Sequence, residues 1–211
     1  MAAYSKTYLD DAMSMLGGMF DYAVHFCGQD VQEFFERFLV SKASQLIASG
    51  NVRYLCGMSG SEVAMRVLED TGARLCEAPE YIRGGASAEF WAGWALAYYQ
   101  WHSGRSFCAL ADDGLDMSKL LSLYSPLHEA DITKFVDIAD KLCSQQVDSP
   151  LRKARVAAGL AQRELAEASE VSIRMIRAYE QGTQDLSKAE AGTVMRLART
   201  LGIPFDTLLG L

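Results

Sequence analysis

The stretch "ELAEASEVSIRMIRAYEQG", Glu164 to Gly182, sets two apolar helical patterns on either side of a short polar break, which leaves room only for a tight turn between two short helices. Leu165 and Ile176 fall where they join the two helices through a shared core, and small Ala166 lets the helices cross closely. Gly182 permits a left-handed exit from the second helix. Ser172 is placed to cap that helix and leave its N-terminal half projecting. Ile173, Arg174, Arg177 and Ala178 then lie on or beside the outward face, where apolar positions are wasted unless something covers them.

The formal net charge of −7 has the wrong sign for a protein that simply coats nucleic acid, so the distribution of charge matters more than the total. The stretch "SQQVDSP", 144 to 150, has the composition of a linker, with Ser149 and Pro150 suited to the cap and first position of a new helix. Before Ser149 there are 11 basic and 20 acidic residues; from Ser149 onward there are 9 basic and 7 acidic. The acidity therefore belongs to the larger part, and the domains expected are 1–146, acidic, and 149–211, slightly basic.

The larger part shows no sustained period-two alternation and no Asn-Gly hairpin signal, so the whole chain is expected to be all-α. Tyr4 to Cys27 has helical apolar spacing, loosened by Gly17 and Gly18. Asp30 with Glu33 forms a capping-box pattern for one helix ending before Gly50, and Ser59 with Glu62 repeats the device for a helix ended by Gly72. An aromatic helix is expected from Ser87 or Ala88 to His102, and an amphipathic one from Asp131 to Cys143. The longest apolar run, Phe90 to Tyr99, is half of the roughly 20 residues that span a bilayer, and no basic segment followed by an apolar one opens the chain. A cytoplasmic protein without membrane contact is expected.

Patterns for catalysis are incomplete, and neither an enzyme nor a cofactor is expected. "CGMSGSE", Cys56 to Glu62, lacks the Gly-x-Ser-x-Gly spacing of a serine nucleophile turn and reads as helix capping. "HEADI" has Ile132 where a zinc helix needs its second histidine, and "ADDGLD", Ala111 to Asp116, lacks the ligand order of a calcium loop and reads as a solvated turn. No metal site is expected. Cys27, Cys56, Cys76, Cys108 and Cys143 are odd in number and scattered, without a C-x-x-C pair, which implies buried reduced thiols. In the aromatic helix, Trp94, Tyr98 and Trp101 share a face that Trp91 flanks. Such a stripe is either core or an anchor for a protein partner.

After the linker, "PLRKARVAAG", "LAQRELAEAS", "VSIRMIRAYEQG" and "AEAGTVMRLARTLGIPFDTLLG" give five short helices whose apolar residues include Leu151, Val156, Leu160, Val171, Tyr179, Leu197, Ala198, Leu201, Ile203, Phe205 and Leu208. Gln-x-x-Leu-Ala at Gln162 to Ala166, Val171-Ser172, Ile176, Glu-x-Gly at Glu180 to Gly182 and Leu-Gly-Ile at Leu201 to Ile203 occur in an order that resembles the helix-turn-helix domain of the Cro and phage-repressor (XRE-type) family. The resemblance covers about 150 to 210. It implies a DNA-binding domain in which Ile173, Arg174, Arg177 and Ala178 face the major groove, Ser172 at the start of their helix also touches DNA, and Gln162, Thr183 and Gln184 contact phosphates. It also implies that Arg155 pairs structurally with Glu180. Arg is a common reader of guanine through O6 and N7, and Ile173 can meet a thymine methyl. Glu170 departs from the pattern, because the turn there often has Gly, and a non-glycine residue in a left-handed conformation costs about 1–2 kcal/mol.

The surplus of two positive charges supports few phosphate contacts per copy, so a homodimer on double-stranded DNA is expected, with Leu208, Leu209 and Leu211 offering apolar surface either for a symmetric contact or, equally, for packing on the N-terminal domain. The function expected is a sequence-specific repressor whose N-terminal domain receives a signal or a protein partner. The alternative is a protein-binding inhibitor, an antitoxin or a mobile-element anti-defence protein, whose C-terminal domain represses its own promoter.

Overall fold

A computed structural model describes residues 2–76, 87–144 and 149–209. Every regular element among them is helical, so the chain is all-α. It divides into two compact units, Met1–Lys141 and Leu142–Leu211. Residues 145–148, within the linker-like stretch, lie outside the described residues.

The first unit contains α1 (Leu9–His25), α2 (Val31–Val40), α3 (Lys42–Ala48), α4 (Val52–Cys56), α5 (Gly60–Asp70), α6 (Ala88–Ser103), α7 (Phe107–Asp112), α8 (Met117–Ser122), α9 (Tyr124–Leu127) and α10 (Ile132–Ser144). α1 is buried along most of its length, from Leu9 to Ala23, and packs chiefly on α6 and α5. Backbones approach closely there. A Cβ at Gly93 of α6 would lie 2.6 Å from the Leu16 carbonyl oxygen, and one at Gly60 of α5 would lie 2.4 Å from the Met19 nitrogen. Gly17 and Gly18, expected to loosen the first helix, are instead buried inside it without a break. Around Phe20 the rings of Phe34, Phe35 and Phe38 gather at centroid distances of 5.6, 6.1 and 6.0 Å, all fully buried.

Several expectations are corrected. The single helix from Asp30 to Gly50 is two, because Ser41 is extended at ψ 158 and its hydroxyl donates to the Phe38 carbonyl at 2.7 Å, competing with the helical backbone. The short α4, α7, α8 and α9 carry too few turns to show a period. In "ADDGLD", Asp113 is buried and ion-paired with Arg105 rather than solvated. Cys27 and Cys76 form a disulfide, with Cα atoms 5.2 Å apart, while Cys56 and Cys108 are exposed and Cys143 is half-buried. The bond joins the end of α1 to the chain leaving α5, a proximity created by the packing of those two helices and invisible in a separation of 49 residues.

In the aromatic helix α6, Trp91 is only 7% exposed and meets Tyr124 and Phe135 edge-on, so it belongs to the core and not to a partner surface. Trp94, Tyr98 and Trp101 are half-buried; the Trp101 indole donates to the Tyr4 carbonyl at 2.8 Å. The buried Tyr4 hydroxyl is pushed up to about 12 by loss of solvent.

The second unit is α11 (Pro150–Ala157), α12 (Gln162–Ser169), α13 (Ile173–Glu180), α14 (Ala191–Leu201) and α15 (Phe205–Leu209). They close over Leu151, Leu165, Val171, Ile176, Tyr179, Val194, Leu197, Ala198, Leu201 and Leu208. Of the apolar residues named for these helices, Val156 and Phe205 are 60% and 42% exposed. On α11 the inward stripe is Leu151 and Arg155, one turn apart, which turns Val156 outward. Leu208 is buried at 1% and is not available as leftover surface; Leu209 is half-buried, and Leu211 lies outside the described residues.

Candidate nucleic-acid interface

α12 ends at Glu170, whose φ of 55 and ψ of 30 make it the left-handed C-cap, and it is the only non-glycine residue with positive φ among the described residues. The strained conformation expected for this position is therefore present. Two residues later Ser172 caps α13, its hydroxyl accepting from the Met175 N–H at 3.3 Å. Ile176, Tyr179 and Glu180 face inward from α13. The other side carries Arg174, which is exposed and makes no hydrogen bond or ion pair within the described residues, and Ile173, Arg177 and Ala178, which are half-buried. Thr183 and Gln184 are exposed just beyond the helix, where the Thr183 hydroxyl and the Gln184 N–H both donate to the Ala178 carbonyl at 3.1 Å. Arg196 and Arg199 are exposed on α14.

Behind this face lies a buried polar cluster. Arg155, 3% exposed, donates from Nε and Nη2 to the two carboxylate oxygens of Glu180, which is fully buried, at 2.7 and 3.0 Å. Its Nη1 donates to the Leu160 carbonyl at 2.8 Å. The structural pairing implied for Arg155 and Glu180 is thus present. A bidentate fork of this kind fixes geometry as well as charge, and a carboxylate buried without it would be costly.

Gln162 is the sequence-predicted residue that the structure places elsewhere. It is 2% exposed, and its side chain is turned into the cluster and away from solvent, so the expected phosphate contact from that side chain does not fit. Its Nε2 donates to Glu180 Oε2 at 2.7 Å, and its Oε1 accepts from Arg177 Nε at 3.3 Å. The amide orientation follows from its partners, since an ionised carboxylate only accepts and a guanidinium only donates. Nothing in the sequence marks this double contact, because it joins residues 15 and 18 positions apart.

Five helices around one core, with a capped second helix set off by a tight turn, define a helix-turn-helix module. Residues 151–208 match a family model described as helix-turn-helix, and this segment is a DNA-binding regulatory domain of the Cro and phage-repressor type. Comparisons with curated proteins and with solved structures return no match for the chain. Among the described residues no group of three or more His, Cys, Asp or Glu is arranged to hold a metal ion, and no helix is long and apolar enough to cross a membrane.

Proposed function

We propose that this protein is a sequence-specific transcriptional repressor that acts as a homodimer and reads double-stranded DNA with the helix at 172–180. The observation that carries the reading is the exposed Arg174, without a partner among the described residues, on the capped helix α13, with Arg177 one turn further along. In this reading Arg174 and Arg177 meet guanine edges, Ile173 and Ala178 supply apolar contact, and Ser172, Thr183 and Gln184 hold the phosphate backbone. Exposed Val156 on α11 and Phe205 on α15, two helices that pack together, support a second copy as the neighbour. The acidic domain, 1–146, takes the signal or a protein partner, and the half-buried face of Trp94, Tyr98 and Trp101 is the surface for it. Such a protein works in the cytoplasm without a cofactor.

The test is selection of random duplex DNA by the full-length protein, beside an Arg174→Ala, Arg177→Ala double variant. The proposal expects a palindromic site, with half-sites about one helical turn apart, that the variant does not enrich. No enrichment by the wild type at low salt would rule it out.

A further inference from the structure

We infer that Gln162 is a positioning residue for base reading: it holds the Arg177 guanidinium in place ahead of DNA contact, so that the two arginines of α13 are not equivalent. This rests on the DNA-reading role proposed above. The geometry is a chain of three contacts. Glu180, fully buried, is fixed by two bonds from Arg155; Gln162 Nε2 docks on Glu180 Oε2 at 2.7 Å; and Gln162 Oε1 takes the Arg177 Nε–H at 3.3 Å. Each link constrains the next. Gln162 is 2% exposed on the first turn of α12, and its amide cannot rotate without setting its own oxygen against the Glu180 carboxylate. The buried cluster of α11 and α12 is thereby connected to a half-buried arginine on α13, while Arg174, one turn earlier, is exposed and makes no such contact.

The energetic consequence is preorganisation. A long side chain that must be immobilised on binding loses about 0.5–1.5 kcal/mol per group, which corresponds to roughly two- to tenfold in affinity. Arg177 is already held by Gln162, whereas Arg174 is exposed and has no such hold among the described residues. Arg177 should therefore impose a sharper base preference, and that sharpness should depend on Gln162. A phosphate contact from Gln162 would act differently, weakening all sequences alike.

Two measurements test this. In the DNA-free wild-type protein, nuclear magnetic resonance should show an Arg177 Nε–H that exchanges with solvent clearly more slowly than that of Arg174; equal exchange would overturn the proposal without any variant. Second, Gln162→Met keeps volume and burial and removes both hydrogen bonds. Affinity for the enriched site should fall roughly two- to tenfold in the wild-type background and not at all in the Arg177→Ala background. The preference at the base pair assigned to Arg174 should persist, which also reports that the domain is folded. A loss that is equal in both backgrounds, or equal for random DNA, would overturn the positioning role. A wild type that slows Arg177 exchange yet enriches no site would overturn the DNA-reading proposal instead and leave the side-chain geometry standing.

Discussion

Removing the Glu180 carboxylate should nearly unfold the DNA-binding unit, even though Glu180 touches no solvent. In Glu180→Leu the Arg155 guanidinium stays buried at 3% exposure without its carboxylate, the Leu160 carbonyl at 2.8 Å still opposite it, and Gln162 Nε2 loses its acceptor. Breaking a buried pair on one side costs about 3–5 kcal/mol. A domain of this size has only about 3–9 kcal/mol in total, at roughly 0.05–0.15 kcal/mol per residue. The double variant Arg155→Met, Glu180→Leu removes both charges and should recover part of the loss. It leaves the Leu160 carbonyl and Gln162 Nε2 without these partners, at about 1–3 kcal/mol each at most. Native-state hydrogen exchange by mass spectrometry on the full-length protein reads the opening free energy of peptides from α12 and α13 separately from the first unit. The cluster predicts strong non-additivity, the double variant being more stable than Glu180→Leu. A single variant costing under about 1 kcal/mol, or a double variant as damaged as the single, would refute a buried, charge-compensated network.

Glu170→Gly should stabilise the second unit by about 0.5–1 kcal/mol, since relief of the left-handed strain exceeds the entropy glycine adds to the unfolded chain; urea titration followed at α12 and α13 checks it. Breaking the Cys27–Cys76 bond by Cys76→Ser should cost the first unit about 4 kcal/mol, the chain-entropy value for a loop of this length, seen as a lower midpoint in thermal unfolding. Ser59→Ala should cost about 1 kcal/mol at pH 7, because the Ser59 hydroxyl accepts from the Glu62 N–H while Glu62 accepts from the Ser59 N–H at 2.7 Å. The Ser59 N–H and, next to it, the Ser59 hydroxyl, which donates to Glu62 Oε2 at 2.8 Å, hold the Glu62 carboxyl below its ordinary value of 4.5. A folded-state value below the unfolded one stabilises above the unfolded value and is lost as pH falls through the folded one, so the cost of Ser59→Ala should shrink from pH 7 to pH 3.

Short-range chemistry was legible in the sequence. The Ser172 and Ser59 caps and the Ile176 and Leu165 core follow from local spacing, while the left-handed Glu170 and the Arg155–Glu180 pair, 25 positions apart, follow only from the family resemblance; the structure contains all of them. Relations set by packing were not legible. Gln162 reads as an exposed helix-start residue until Glu180 and Arg177 close over it, and Cys27 and Cys76 read as unrelated until α1 and α5 lie together. Val156 faces outward and Leu208 is buried, which their apolar character did not reveal, because an apolar side chain alone does not show which way its helix is turned and a buried Arg155 claimed the inward stripe of α11. Trp91 went to the core and Trp94, Tyr98 and Trp101 stayed half-buried for the same reason, a helix rotation fixed by tertiary contacts with α9 and α10.

The most direct test is the base preference of Arg174→Ala at the site the full-length protein enriches, measured by competition with every single base-pair change. Base reading by α13 predicts relaxed preference at one base pair in each half-site, with a loss of about 1–3 kcal/mol there, and unchanged preference elsewhere. An Arg174→Ala protein that keeps the full base preference of the wild type would contradict it.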